Sequence, residues 1–177
     1  MNLDKAKEIK GYMFDYELEW LAEQASKHEC IVEIGTFYGR SARALADNTS
    51  GRVYCIDPYP GQVFMENNAT SIVSGNYVHR QAQRNLADHI ESGRLSIHRG
   101  TVNDFPHDIT PDFIFIDGDH KPGPFTTDLV WSLGRLKKNG LLSGHDYAND
   151  DWPSIKKIVD EQFPQQIGRV GYIWWRL

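Results

Sequence analysis

The stretch CIVEIGTFYGRS at residues 30–41 decides the fold, because it joins an apolar strand to a helix through a turn with two glycines. The short apolar run at residues 30–34 predicts a strand, and the alanines around Arg43 at residues 41–47 predict a helix. Gly35 and Gly39 let the backbone of the turn approach a ligand closely. The free N–H groups at the helix start favour an anionic group there.

The alternation of strand and helix continues along the chain. Helices are predicted at residues 15–26, 77–90 and 126–138 and from residue 151 onwards, and strands at 53–56, 95–98, 113–116, 141–143 and 170–175. We expect Asp15 to cap the helix at 15–26, Asn139-Gly140 to end the helix at 126–138, and residues 59–76 to form a loop. Continuous apolar strands are typical of strands covered on both faces. The sequence therefore predicts an α/β fold with a doubly wound, mostly parallel sheet.

Length and composition narrow the function classes. The 177 residues fit a single domain over 1–177, and 24 acidic against 19 basic residues give a net charge of −5, which argues against a nucleic-acid partner. The cysteines, Cys30 and Cys55, lack metal-binding spacing and are expected to be buried thiols in a reducing compartment. No apolar run is long enough to span a membrane. We expect a cytoplasmic protein without a membrane partner.

Unusual residues follow the predicted strands, and these residues are Gly35, Asp57, Gly100, Asp117 and His145. In doubly wound sheets, ligands bind outside the carboxyl ends of the strands, so these positions predict the site. The third glycine of a dinucleotide-binding turn is absent, which favours a carboxylate over a pyrophosphate at this turn. Asp57 is placed to accept hydrogen bonds from ribose hydroxyls; alternatively, it caps a turn and the glycines only shape that turn.

The motif Glu-x-Gly-x-x-x-Gly-x-Ser at residues 33–41 resembles the first motif of class I S-adenosylmethionine-dependent methyltransferases. Its spacing is most similar to that of the catechol O-methyltransferase-like branch. The similarity continues through residues 56–58, 99–101, 115–120 and 142–147, and it spans nearly the whole chain. The pair IDGDH and GHDY resembles small bacterial and phage methyltransferases. The resemblance implies a Rossmann-like, three-layer α/β/α fold with a seven-stranded sheet.

The resemblance also implies a set of S-adenosylmethionine-binding residues at the strand ends. These are Glu33, Gly35, Thr36, Phe37, Gly39, Ser41, Asp57, Pro58, Tyr59, Gly100, Thr101, Val102 and Asp117. The first motif would surround the methionine moiety, with Ser41 near its carboxylate, and Asp57 would hold the ribose. Residues 58–59 would flank the adenine, and residues 100–102 would face its edge.

The chemical end of the site is expected after the strands at 113–116 and 141–143. A hydroxyl acceptor must lose a proton, which requires a base or a metal ion. By resemblance, Asp117 and Asp146 are metal ligands with His145 as the third, for Mg²⁺ or another divalent cation. Asp119 or His120 would be the base. The chain departs from the catechol-type pattern, which has lysine at the position of His120 and Asp-Asn or Asp-Asp at residues 145–146.

Several alternatives stay open at this point. Asp117 and His145 can simply stabilise their turns, and a metal-free N- or O-methyltransferase would use His120 or His145 as the base. A nicotinamide- or nucleotide-sugar-binding Rossmann protein and a non-catalytic assembly subunit are the alternatives from other classes. The acceptor is expected to be a small molecule, such as a sugar, a phenol or a natural-product intermediate. Its pocket is either open or completed by a second copy of the chain in a homo-oligomer.

Overall fold

A seven-stranded sheet forms the centre of the computed structural model. The structure describes residues 1–66 and 69–177, and for residues 62–71 it describes no side chains. In chain order, the strands are β1 (Cys30–Ile34), β2 (Arg52–Ile56), β3 (Gln62–Glu66), β4 (Ala69–Val73), β5 (Leu95–His98), β6 (Phe113–Ile116), β7 (Leu141–Gly144), β8 (Ile167–Val170) and β9 (Ile173–Arg176). The order in the main sheet is β5-β2-β1-β6-β7-β9-β8. The five strands β5, β2, β1, β6 and β7 are parallel to one another. Strand β9 is antiparallel to both of its neighbours, β7 and β8.

Helices cover both faces of this sheet. They are α1 (Asp4–Glu8), α2 (Asp15–Ala25), α3 (Arg40–Asn48), α4 (Gly75–Asn85), α5 (Ala87–Glu91), α6 (Pro122–Arg135) and α7 (Pro153–Gln162), with a 3₁₀ turn at Val102–Asp104. Ile31 packs in a core with α1, α2 and α3, whereas its neighbour Val32 packs in a second core with α6 and α7. The prediction of a doubly wound sheet in a three-layer α/β/α fold is therefore confirmed. Among the described residues, no helix is long and apolar enough to cross a membrane.

The strand order places the ends of three strands next to one another. Strand β1 pairs with β2 on one side and with β6 on the other, so the chain leaves β1 and β6 in opposite directions. The register aligns Ile34 with both Ile56 and Ile116. The residues that follow these positions therefore meet at one edge of the sheet, which is where such folds bind ligands.

Two predicted segments contain more regular structure than their composition indicates. Residues 59–76, predicted as a loop, include the antiparallel hairpin of β3 and β4, with residues 67–68 outside the described chain. Glycine and asparagine are typical of turns, and pairing with a partner strand overrides that local signal. The predicted strand 170–175 is instead a hairpin of β8 and β9 that turns at Gly171, whose φ of 55° suits glycine.

The helix bounds also differ from the predicted ones. The predicted helix 77–90 is interrupted at Leu86, where φ is −113° and ψ is 9°, and α1 was not predicted at all. Helix α6 begins earlier, because proline suits the first turn of a helix. It ends at Arg135, so Asn139-Gly140 belongs to the turn before β7 and not to a helix cap. Asp15 is the first residue of α2 and follows the N-cap Phe14.

Arg43 in α3 connects several elements through buried charges. Its Nε donates a hydrogen bond to Asp47 Oδ2 at 2.8 Å, and its two terminal nitrogens donate to Asp88 at 2.6 and 2.9 Å. Asp47 Oδ1 also lies 2.7 Å from His89 Nε2. The side chains of Arg43 and Asp47 are only 4% exposed, so each charge depends on its partner for compensation.

We predict that Arg43→Met lowers the free energy of unfolding by about 3 kcal/mol, because it leaves the buried carboxylate of Asp47 without its charged partner. Urea denaturation followed by far-ultraviolet circular dichroism measures this loss. Arg84→Ala, at an exposed position of α4, is the matched control and should change stability by less than about 0.5 kcal/mol. Equal losses in both variants would contradict a special contribution of the buried ion pair.

Candidate active site

The turn after β1 is shaped by close backbone contacts. Gly35 has a φ of 90°, and a Cβ atom there would lie 2.0 Å from the carbonyl oxygen of Asp117. The N–H of Gly35 donates to Ile56 O at 2.8 Å, which fixes the turn against the end of β2. Gly39, with a φ of 89°, is the N-cap of α3. Both glycines are therefore needed for the shape of the turn.

Asp57 organises the same turn from the end of β2. Its Oδ2 accepts hydrogen bonds from the N–H groups of Thr36 and Phe37 at 3.0 and 2.9 Å, and its Oδ1 accepts from the N–H of Tyr59 at 2.6 Å. A carboxylate has about four acceptor positions, so Asp57 can accept one further donor. It lines a small cavity together with Phe37, Tyr59, Pro60, Gly61 and Val78.

A buried polar pair lies beneath the turn. Ser41 Oγ donates a hydrogen bond to Glu33 Oε1 at 2.5 Å, and both side chains are buried. Burial raises the pKa of the Glu33 carboxyl to about 8. Glu33 Oε2, Thr36 Oγ1 and Tyr59 OH have no hydrogen-bond partner among the described residues. Ser41 therefore supports Glu33 in this structure, and its predicted contact with a ligand carboxylate stays a prediction.

Of the other predicted cofactor residues, Gly100, Thr101 and Val102 lie beyond the end of β5, and Pro58 lies beyond the end of β2. The N–H of Gly100 donates to Asp57 O at 3.2 Å, so these two positions are neighbours. Val102 is buried, whereas Pro58 and Thr101 are exposed, and Thr101 Oγ1 donates to Asp104 Oδ2. The structure thus brings the predicted residues of β1, β2 and β5 to one edge of the sheet.

Two carboxylates and one histidine converge at the ends of β6 and β7. One ligand atom each of Asp117, His120 and Asp146 lies within 4.8 Å of the others. His120 Nε2 is 2.7 Å from Asp146 Oδ2 and 3.7 Å from Asp117 Oδ1. Although His120 Nε2 is close to Asp146, it lacks the alignment of a hydrogen bond. The three groups can therefore hold a metal ion between them.

His145 approaches the same two carboxylates from the protein interior. Its Nδ1 is 3.2 Å from Asp146 Oδ2 and 3.8 Å from Asp117 Oδ1. Its Nε2 is 3.3 Å from Glu17 Oε2. The sequence did not identify Glu17 as a site residue, because its only local signal is that of a capping residue of α2, where it accepts the Phe14 N–H.

The charges of the cluster shift the pKa values of both histidines upwards. Burial alone would lower the pKa of His120, but Asp117 and Asp146 outweigh it and raise the pKa to about 9. Burial likewise opposes protonation of His145, whose pKa is raised to about 10 by Asp117, Asp146 and Glu17. Although burial opposes its ionisation, the two histidines lower the pKa of Asp146. Without a metal ion, both histidines are therefore cationic at neutral pH.

Asp119, predicted as a candidate base, lies outside this cluster. Its side chain is 51% exposed, and its Oδ1 accepts a hydrogen bond from the Lys121 N–H at 3.0 Å. The ring of Trp152 packs beside the site, with its centroid 4.7 Å from that of His120. Asp119 thus shapes the turn before α6 in this structure.

Comparison with known proteins identifies the family. A family model described as "Methyltransferase domain" matches residues 32–147, which is about two thirds of the chain. The chain belongs to this methyltransferase family. The match argues against the alternative of a nicotinamide- or nucleotide-sugar-binding Rossmann protein. An uncharacterized protein of Acanthamoeba polyphaga mimivirus is 30% identical to this methyltransferase over 169 residues, which cover 88% of this chain and 74% of that one.

Solved structures show the same fold at low identity. The O-methyltransferase TomG from Streptomyces achromogenes, involved in tomaymycin synthesis and solved with S-adenosylmethionine, is 16% identical with a TM-score of 0.66, covering 94% of this chain and 81% of that one. An O-methyltransferase from Bacillus cereus, solved with S-adenosylhomocysteine, is 17% identical with a TM-score of 0.65, covering 97% and 86%. This methyltransferase therefore has the fold of class I S-adenosylmethionine-dependent methyltransferases.

The raised pKa of His145 predicts a pH-dependent stability. A histidine whose folded-state pKa is raised from 6.5 to about 10 stabilises the native state below pH 6.5 and loses that contribution as the pH rises through 10. In the presence of a chelator, the free energy of unfolding of the wild type should fall as the pH rises from 6.5 to about 10. This fall should exceed that of His145→Gln by at least about 1.4 kcal/mol, the energy that corresponds to one pKa unit. Parallel pH profiles from denaturant titrations would contradict the assignment.

Proposed function

We propose that this methyltransferase transfers the methyl group of S-adenosylmethionine to a hydroxyl group of a small molecule, at a divalent cation held by Asp117, His120 and Asp146. The observation that carries the proposal is the convergence of these three groups beside the glycine turn of β1. Residues 1–177 would act as a single domain.

The glycine turn and Asp57 are the proposed cofactor site. S-adenosylmethionine supplies the methyl group from its cationic sulfonium. The start of α3 favours the carboxylate of its methionine moiety, because the first N–H groups of a helix have no partner within the helix. Asp57 retains an acceptor position for a ribose hydroxyl, and Tyr59 and Gly100 flank it. TomG and the Bacillus cereus enzyme, which share this fold, were solved with S-adenosylmethionine and S-adenosylhomocysteine, respectively.

The donor set and its spacing fit a divalent cation. Neighbouring ligand atoms around a six-coordinate cation lie about 3 Å apart when each bond is about 2.1 Å long. The distances of 2.7 and 3.7 Å from His120 Nε2 to the two carboxylate oxygens bracket that value. Two carboxylates with one imidazole suit Mg²⁺ less well than Mn²⁺, Fe²⁺ or Zn²⁺. When bound, such an ion lowers the pKa of a coordinated hydroxyl.

His120, and not the predicted His145, takes the third ligand position in this proposal. The side chain of His120 is 28% exposed and so faces the side from which an acceptor enters, whereas His145 is buried with Nε2 directed to Glu17. A small acceptor agrees with the negative charge of the chain, because a net charge of −5 disfavours a polyanionic substrate.

A metal-free methyltransferase is the second candidate, and the 2.7 Å contact of His120 Nε2 with Asp146 Oδ2 favours it. A carboxylate beside an imidazole orients the ring and makes it a stronger base. In its neutral form, which prevails above about pH 9, His120 would then accept the acceptor proton directly, and Asp117 would orient the substrate.

We predict that the wild type binds S-adenosylhomocysteine and that Asp57→Ala weakens this binding by about 1–3 kcal/mol, the loss expected for charge-assisted hydrogen bonds. Isothermal titration calorimetry measures both affinities. Asp108→Ala, at an exposed position outside the site, should bind as the wild type does. Unchanged binding in Asp57→Ala would exclude the ribose assignment.

For the metal site, we expect Mn²⁺ to bind the wild type and methyl transfer to stop after exhaustive chelation. Asp117→Ala and Asp146→Ala should each lose Mn²⁺ binding, because each removes a charged ligand. Asp119→Asn is the matched control, since Asp119 lies in the same turn but outside the cluster. Full methyl transfer in chelator, measured with labelled cofactor across a panel of hydroxyl acceptors, would instead support the metal-free candidate.

A further inference from the structure

Glu17 is a buried carboxylate that joins three distant segments of the chain. Its side chain is fully buried in the first turn of α2. Oε1 accepts a hydrogen bond from the N–H of Tyr172 at 2.7 Å. Oε2 accepts from the N–H of Phe14 at 2.8 Å and lies 3.3 Å from His145 Nε2. Glu17 therefore contacts the helix start, the hairpin of β8 and β9, and the residue that precedes Asp146.

The capping role of Glu17 does not account for its burial. A helix cap needs a side-chain acceptor at the surface, and a serine or aspartate at the N-cap supplies one. A fully buried carboxylate is costly unless it is paired and hydrogen-bonded. The contact of Oε2 with His145 Nε2 at 3.3 Å supplies a further partner, so the burial of Glu17 is linked to the imidazole rather than to the cap alone.

The two histidines of the site face the same pair of carboxylate oxygens. Asp146 Oδ2 lies 2.7 Å from His120 Nε2 and 3.2 Å from His145 Nδ1, and Asp117 Oδ1 lies 3.7 and 3.8 Å from these atoms. Distance to the carboxylates therefore does not decide which ring binds a cation. The contact with Glu17 distinguishes them, because it holds Nε2 of His145 and so fixes the direction in which Nδ1 points.

We infer that Glu17 is a positioning residue that holds the ring of His145 on the buried side of Asp146 and Asp117. The exposed side of these two carboxylates is then left to His120 and the cation. This inference rests on the proposed metal site. It assigns to Glu17, in the first turn of α2, a function that is exerted through His145, 128 residues away in the chain. His145 in turn contacts the ligands Asp146 and Asp117, and groups that orient ligands affect metal affinity although they do not touch the metal.

The test is the Mn²⁺ affinity of Glu17→Gln, measured by calorimetry on the full chain. Glutamine keeps the size of the side chain and one acceptor oxygen but loses the charge that faces His145. We expect the affinity to fall about 10-fold, at the lower end of the effect of residues that orient metal ligands, because Glu17 acts on Asp146 and Asp117 through His145. Glu19→Gln, two residues along the same helix and exposed, is the matched control and should bind as the wild type does.

A double-mutant cycle separates a positioning role from a structural one. If Glu17 acts through His145, then His145→Gln also weakens Mn²⁺ binding, and the double variant Glu17→Gln/His145→Gln binds no more weakly than the weaker single variant. Electron spin-echo spectra of bound Mn²⁺ should show one coordinated imidazole, which His120→Gln removes and Glu17→Gln retains. If Glu17→Gln fails to fold, the spectrum of His145→Gln decides: a retained imidazole supports the inference.

Three outcomes would overturn the inference. A lower thermal midpoint of Glu17→Gln with unchanged Mn²⁺ affinity would show that Glu17 only stabilises the helix. Additive losses in the double variant would show that it does not act through His145, and loss of the imidazole signal in His145→Gln would make His145 the ligand. These results leave the metal site itself intact. Absence of Mn²⁺ binding in the wild type would overturn the proposed metal site and this inference together.

Discussion

The close approach of the Gly35 backbone to the carbonyl of Asp117 is the constraint on which both halves of the site depend. Gly35 directly follows β1 and Asp117 directly follows β6, and the Asp117 N–H donates to Ile34 O at 2.7 Å. A side chain at position 35 would force the two strand ends apart, because its Cβ would lie 2.0 Å from that carbonyl oxygen. The proposed cofactor turn and the first carboxylate of the cluster therefore share one backbone contact at the switch in strand order.

Charge balance explains why histidines accompany the carboxylates. Glu17 and Asp146 are buried and Asp117 is half-buried, and carboxylates in such surroundings need positive partners. Protonated His120 and His145 supply two positive charges when no cation is bound. With a divalent cation, a neutral His120 as ligand and a protonated His145 beside Glu17, the charges of the three carboxylates are balanced in full. The charge of the cluster thus agrees with the proposed divalent cation.

Local sequence signals predicted the sheet and its functional edge but not the contacts within the site. Asp57 and Asp117 each follow a continuous apolar run, and such runs predict buried strands without knowledge of tertiary structure. The division between His120 and His145 depends on ring orientation, which the sequence does not encode locally. Glu17 meets Tyr172 across 155 residues, so its contact follows only from the packing of α2 against the closing hairpin. The hairpins themselves depend on strand partners rather than on composition.

The family model matches residues 32–147, and segments outside this range complete the proposed site. Arg40, which follows Gly39 in the cofactor turn, donates hydrogen bonds to backbone carbonyls of residues 6–13 and to Asp15 at 3.1 Å. The same N-terminal segment continues into α2, where Glu17 contacts the cluster. Movement of this segment would therefore alter the proposed cofactor turn through Arg40 and the proposed metal ligands through Glu17. Because one segment supports both ends of the proposed site, the geometry of the two ends is set jointly and not by the central sheet alone.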